Sequence, residues 1–159
     1  MFDSGVGGLS ICQEMLSALS DIHIDYLSDS AGFPYGEKKP DWLVDRVNTL
    51  IDKALKRLKI DLVIIACNTA STIALPSLRS RIKQPIIGVV PAIKTAAKIS
   101  KTQTFALLAT PGTVAGQYTQ DLIKQHAAAH NVISIGSSKL VVAIEEHLHG
   151  KPLAAEVID

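Results

Sequence analysis

Leu62-Val63-Ile64-Ile65-Ala66-Cys67-Asn68-Thr69-Ala70-Ser71-Thr72 decides how the rest of the chain is read. Its apolar half has strand length, far short of a membrane span, and follows a charged residue, Asp61. That is the pattern of a strand buried on both faces of a parallel sheet. Polarity then switches at Cys67-Asn68-Thr69, and Ala70 to Leu78 reads as the next helix. The thiol is therefore expected at a strand's carboxyl end beside a helix N-terminus, where open α/β sheets bind ligands. Free backbone N–H groups and the helix dipole there favour thiolate, so the pKa is expected below its reference of about 8.5. A small, inert core cysteine is the competing reading, because free Cys is among the most buried residue types. The polar neighbours favour chemistry.

Working outward, Ile86 to Val90 reads as a short strand closed by Pro91, and the helix before it runs to Ile82. On the other side, Trp42 to Leu58 reads as a helix with Asp41 as N-cap, and Leu43, Val47, Leu50, Ile51 and Leu55 form its core stripe. Ile22 to Leu27 alternates like a strand and ends in the turn Ser28-Asp29-Ser30. Phe33-Pro34-Tyr35-Gly36 bends after it, and Tyr35 is either packing or a hydroxyl over a pocket. At the start, Asp3-Ser4-Gly5-Val6-Gly7-Gly8 is a Gly-rich turn into a helix, Leu9 to Leu19. Such a turn normally follows a buried strand, so either Met1-Phe2 is the stump of one or the chain begins late; truncation is favoured. Ser10 stands where a dinucleotide fingerprint needs its third glycine, and no P-loop lysine follows.

Beyond Pro91 the pattern repeats with less strand. Ala92 to Ile99 is helical, Thr104 to Ala109 a strand, and Thr110-Pro111-Gly112-Thr113-Val114 a second strand-to-helix turn before a helix from Gly116 to His126. Val132 to Ile135 reads as strand, and Leu140 to Leu148 as a helix carrying Glu145 and Glu146. Two α/β units, 1–91 and 92–159, with their boundary at Pro91-Ala92, follow from that repetition. The expected fold class is α/β, a mostly parallel sheet with flanking helices.

Composition excludes several functions. With 47% hydrophobic and 19% charged residues, the 159-residue chain has core enough for one domain and part of another. Sixteen Lys and Arg against fifteen Asp and Glu leave a net charge of +1, so nothing points to nucleic acid or an anionic membrane. Cys12 and Cys67 suit neither a disulfide framework nor a zinc motif, and a reducing cytoplasm is the expected setting. Cys12 is in register with Leu9, Leu16 and Leu19 on an apolar helix face and is expected to pack. His126 and His130, four apart, read as a solvated helix end rather than a metal pair.

Taken in order, Phe2-Asp3-Ser4-Gly5-Val6-Gly7-Gly8-Leu9, Pro34-Tyr35-Gly36, Ala66-Cys67-Asn68-Thr69-Ala70 and Thr110-Pro111-Gly112-Thr113-Val114 resemble the glutamate racemases of bacterial cell-wall synthesis. The resemblance spans nearly the whole chain. Asp-Ser-Gly-Val-Gly-Gly together with Ala-Cys-Asn-Thr-Ala separates that family from the wider aspartate and hydantoin racemases. It implies two pseudo-symmetric α/β domains with glutamate in the cleft between them, and catalysis without pyridoxal phosphate or metal. One cysteine takes the α-proton from one face while a second returns a proton on the other.

Carried across, Cys67 is implied to act on D-glutamate with help from Asp3. Ser4, Pro34, Tyr35, Gly36, Asn68, Thr69 and Thr113 are implied to position the amino acid, and Glu145 matches a family acid near the opposite base. The family's second cysteine sits in a Gly-Cys-Thr-His segment farther downstream than Asp159, and Cys12 is no substitute for it. The chain therefore reads as truncated relative to the family, with its second unit incomplete and little racemisation expected of it alone. A non-catalytic amino-acid-binding or oligomerisation fragment and a related aspartate racemase are the alternatives, with a homodimer as the candidate assembly.

Overall fold

A computed structural model describes residues 1–153. The last residues of the expected second unit, 154–159, lie outside the described residues. Four short strands form one wholly parallel sheet: β1 (Phe2–Asp3), β2 (Leu27–Ser28), β3 (Val63–Ile65) and β4 (Ile86–Gly88), in the order β2-β1-β3-β4. From β1 the chain crosses to β2 on one side and later to β3 on the other. The strand order thus reverses between β1 and β3, the switch point at which such sheets leave a crevice. Two further strands, β5 (Thr104–Ala109) and β6 (Asn131–Gly136), pair in parallel as a separate sheet, register Thr104 to Asn131.

Around the first sheet lie α1 (Gly8–Ala18), α2 (Pro40–Arg57) and α3 (Asn68–Arg81); α4 (Ile93–Ile99), α5 (Pro111–Ala115), α6 (Gln117–His126) and α7 (Ser138–Leu148) follow. The core sits between β1, β3 and the inner faces of α2 and α3. Phe2, Leu43, Val47, Ile65, Leu75 and Leu78 are essentially sealed from solvent there. The predicted α2 stripe is the one that faces it.

Several expectations shift by local physics. The start is strand, but at Phe2-Asp3: Phe2 pairs with Leu27 on one side and Ile65 on the other. Of the expected strand Ile22 to Leu27, only Leu27 joins a ladder, because β1 offers just Phe2 and Asp3 as partners. At α2 the cap is Lys39 and Pro40 takes the first helical position, where its missing N–H costs nothing; Asp41 sits in the first turn instead of capping. Thr110 likewise caps α5 with its own side chain, so the turn 110–114 is already helix.

The apolar face of α1 is the larger surprise. Leu9, Leu16 and Leu19 keep 47%, 53% and 49% of their surface, and Cys12 is only half-buried, so among the described residues this face is not packed. Nor is His130 a solvated helix end: its ring lies 5.9 Å from that of Phe105 and its Nε2 bonds the Ala97 carbonyl at 3.0 Å. Among the described residues no helix is long and apolar enough to cross a membrane.

Candidate active site

The register of β1 against β3, Phe2 opposite Ile65, brings Asp3 and Ser4 level with Ala66 and Cys67. Ala66 N–H donates to the Phe2 carbonyl at 2.7 Å, the last ladder bond before both chains leave the sheet. Cys67 then takes the N-cap position of α3, with its carbonyl accepting the Ser71 N–H at 2.8 Å. Its Sγ lies 3.7 Å from the Ser4 hydroxyl. Strand end, thiol and helix start meet as the sequence predicts.

Asp3 organises the opposite lip. One carboxylate oxygen accepts the Ser4 N–H at 2.7 Å, and the other accepts the Gly8 N–H at 2.7 Å, tying the glycine turn to the start of α1. Tyr26, which the sequence reading did not single out, donates its hydroxyl to the Gly5 carbonyl at 3.0 Å. Gly8 is obligatory for packing: a Cβ there would lie 2.8 Å from both the Ala66 Cβ and the Tyr26 hydroxyl.

The thiol behaves opposite to expectation. Burial pushes the Cys67 pKa up, the neighbouring Asp3 charge pushes it further, and it reaches about 11. The Ala70 N–H at the start of α3 and the Ser4 hydroxyl pull the other way and lose. A helix N-terminus stabilises a thiolate by a fraction of what desolvation costs it, and Cys67 keeps only 8% of its surface. At neutral pH it rests as a thiol.

Thr69, Thr110 and Thr113 close a ring of hydroxyls between the start of α3 and α5. Thr69 is 2.9 Å from Thr110 and 3.2 Å from Thr113, and Thr110 donates to Thr113 at 2.9 Å. Thr113, on α5, is wholly buried behind Thr69, and Thr110 is the one that reaches the cavity. Asn68 is exposed at its mouth. Glu145 extends from α7 to the glycine turn, where both carboxylate oxygens lie 3.1 Å from the Val6 N–H. A Cβ on Gly5 would fall 2.6 Å from that carboxylate, so the turn must be bare for Glu145 to seat.

Of the Phe33-Pro34-Tyr35-Gly36 bend, Phe33, Tyr35 and Gly36 line the cavity, and Pro34 follows a cis peptide bond. Tyr35 resolves in favour of packing. Its ring stands 6.3 Å from those of Phe2 and Trp42, and its hydroxyl donates at 2.6 Å to Asp29 rather than entering the cavity. Gly36 backs onto the start of α5, where a Cβ would lie 2.5 Å from the Thr110 Cβ.

The space enclosed is about 310 Å³, at the small end of ligand sites. It has a thiol, a carboxylate, hydroxyls and free backbone turns converging on it, the chemistry to orient a small zwitterion beside a proton acceptor. A roomier cavity of about 400 Å³ between α2 and the sheet, walled by residues such as Leu27, Ala54 and Val63, touches neither Cys67 nor Asp3. Among the described residues no group of three His, Cys, Asp or Glu is arranged to hold a metal ion.

Residues 6–158 match the Asp/Glu/hydantoin racemase family. The chain belongs to that family. It is 50% identical to the glutamate racemase of Vibrio cholerae over 98% of its own length and 58% of the relative's, and 49% identical to that of Sodalis glossinidius over 99% and 54%. Among solved structures, Escherichia coli glutamate racemase in complex with L-glutamate and the activator UDP-MurNAc-ala superposes with a TM-score of 0.93 at 42% identity, covering 99% of this chain and 59% of that one. The chain thus spans rather more than half the length of the racemases it matches. As a racemase-family site, the cleft adds Thr110 to the lining residues the motifs flagged, while Tyr26 and Asp29 stand behind the lining, bonded to Gly5 and Tyr35. Thr110 stood inside a quoted motif, whereas Tyr26 and Asp29 carried no signal, because only the folded register brings them near β1.

Proposed function

We propose that the chain carries the D-glutamate side of a glutamate racemase active site, with Cys67 as the base that exchanges the α-proton. The observation that carries this reading is the Cys67 thiol at the β1/β3 switch point, 3.7 Å from the Ser4 hydroxyl and beside Asp3, Asn68 and Thr69 in one cavity. The relatives named as glutamate racemases, and a Francisella tularensis racemase in complex with D-glutamate at a TM-score of 0.74 and 29% identity, support glutamate as the substrate. In that role Ser4, Thr69 and Asn68 offer donors to the substrate carboxylates, and Phe33, Tyr35 and Gly36 of the bend around Pro34 wall the cavity.

A thiol held near 11 must be activated on binding. A substrate ammonium placed against Asp3 would offset the carboxylate charge that disfavours thiolate. Cys67 as thiolate then takes the α-proton, leaving a carbanion, and returns a proton to the same face. Inversion needs an acid on the opposite face, the place of a second cysteine in a two-base racemase; Cys12, on α1, does not line this cavity. Of the two units, 1–91 and the described part of the second from residue 92 act as the two walls of the cleft, a division supported by the two separate sheets. The wider role is supply of D-glutamate for peptidoglycan in a reducing cytoplasm, without cofactor or metal.

The test is α-deuterium incorporation into D-glutamate in D2O, followed by NMR, with circular dichroism for inversion. Slow exchange with retention is expected, and Cys67→Ala abolishes it. Cys67 reaches one face of the α-carbon, so exchange with retention is expected to outpace inversion by the about 10²–10⁴-fold that an acid–base partner is typically worth. Exchange that survives Cys67→Ala, or occurs with D-aspartate and not D-glutamate, would refute the assignment.

A further inference from the structure

Asp29 follows directly on β2 and is 5% exposed, and among the described residues it and Asp3 are the two buried carboxylates. Arg46, from α2, grips it at two points: Nη2 donates to Oδ1 at 2.6 Å and Nε to Oδ2 at 2.9 Å. The Tyr35 hydroxyl adds a third bond, to Oδ2 at 2.6 Å. Gly32 folds so close over the carboxylate that a Cβ there would collide with Oδ2. Asp29 thereby connects the outer face of α2 to the bend that walls the Cys67 cavity, and Gly36 in that bend abuts Thr110, part of the hydroxyl ring with Thr69.

Stability alone is a poor reason for this arrangement. Taking the Asp29 carboxylate out of water is costly, its attraction to Arg46 repays that only with good geometry, and apolar replacements of buried charges are often neutral. What a two-point fork supplies that apolar packing does not is direction. With Oδ1 and Oδ2 both fixed by Arg46, Oδ2 fixes the Tyr35 hydroxyl, and the ring, clamped between Phe2 and Trp42, passes that constraint to the backbone of Tyr35 and Gly36. Arg46 is 35% exposed and Asp29 is 4% exposed by side chain, so the clamp is anchored from outside without lining the cavity.

We propose that Asp29 and Arg46 are positioning residues for amino-acid binding: they hold the Phe33–Gly36 bend as a fixed wall over Cys67. The substrate half of this inference rests on the glutamate reading above; the structural half, that the clamp controls access to Cys67, does not. A wall out of place weakens ground-state binding, while the Cys67 chemistry is left as it was.

The experiment compares the unaltered chain with Asp29→Asn, Arg46→Ala, Arg46→Lys and Tyr35→Phe, with Arg81→Ala, which breaks the exposed pair to Asp52, as control. In the D-glutamate exchange assay, Asp29→Asn and Arg46→Ala should raise KM by about tenfold with kcat changed by less than about threefold, the signature of lost uniform binding. Arg46→Lys keeps one donor and the charge and should fall between, and Tyr35→Phe should shift KM the same way. Lower melting temperatures with KM unchanged would overturn the proposal, as would a fall in kcat at constant KM. If the unaltered chain exchanges no D-glutamate proton, the glutamate reading fails, and the clamp is decided by iodoacetamide labelling of Cys67 below the melting transition. Asp29→Asn should then label about tenfold faster than the unaltered chain, and faster than the core variant Ile93→Ala when each is assayed at the same interval below its own melting temperature. Labelling equal to that of Ile93→Ala would overturn it.

Discussion

Alkylation of the two cysteines gives the sharpest test of how Cys67 is held. A thiol near 11, against an ordinary 9.0, is about a hundredfold less ionised at pH 8, and the thiolate is the nucleophile. Cys67 is also buried while Cys12 is half-exposed. Iodoacetamide at pH 8, followed by peptide mapping, should therefore label Cys12 first, by tenfold or more; position at a helix start would have suggested the reverse. Asp3→Asn removes the second-largest cause of the raised pKa, so its Cys67 should ionise at lower pH and label faster, while Cys12 is unaffected. A full pH profile gives the midpoint for each thiol. Cys67 labelling ahead of Cys12 in the folded chain, or an Asp3→Asn midpoint above the unaltered one, would refute the claim that desolvation outweighs the helix dipole here.

The same pKa links to stability. Because the folded thiol ionises near 11 and the unfolded one near 9, the unfolded state loses its proton first on raising the pH; stability is whole below about pH 9 and declines towards pH 11, by about 3 kcal/mol in all. Urea melts at pH 8 and 10.5 should show that decline and lose much of it in Cys67→Ala; identical slopes in the two proteins would exclude Cys67 as its source. Gly8→Ala should destabilise by about 1–2 kcal/mol, since its Cβ would press on Ala66 and Tyr26 at 2.8 Å, a cost larger than the helix propensity gained. Gly7→Ala, whose nearest neighbour is the Asp3 carboxylate at 3.5 Å, should be neutral or mildly stabilising; equal melting temperatures for the two would refute the packing argument.

Sequence alone determined the parts whose signal is local. The apolar run into Cys67 had one sensible reading as a buried strand, and the abrupt change of polarity located the strand end that faces the cavity. The α2 stripe and the parallel α/β class followed from periodicity, and the four motifs in order led to the racemase family. Tertiary structure decided whatever depends on two distant segments meeting. Asp29 looked like one more polar turn residue until Arg46 and Tyr35, seventeen and six positions away, closed on its carboxylate. The Cys67 pKa turned on how completely Ala66, Asp3 and the cavity walls exclude water, a sum over the whole fold that no spacing encodes. The apolar face of α1 shows the same divide from the other side: the helical period marks Leu9, Cys12, Leu16 and Leu19 as one face, but only packing decides whether that face is covered.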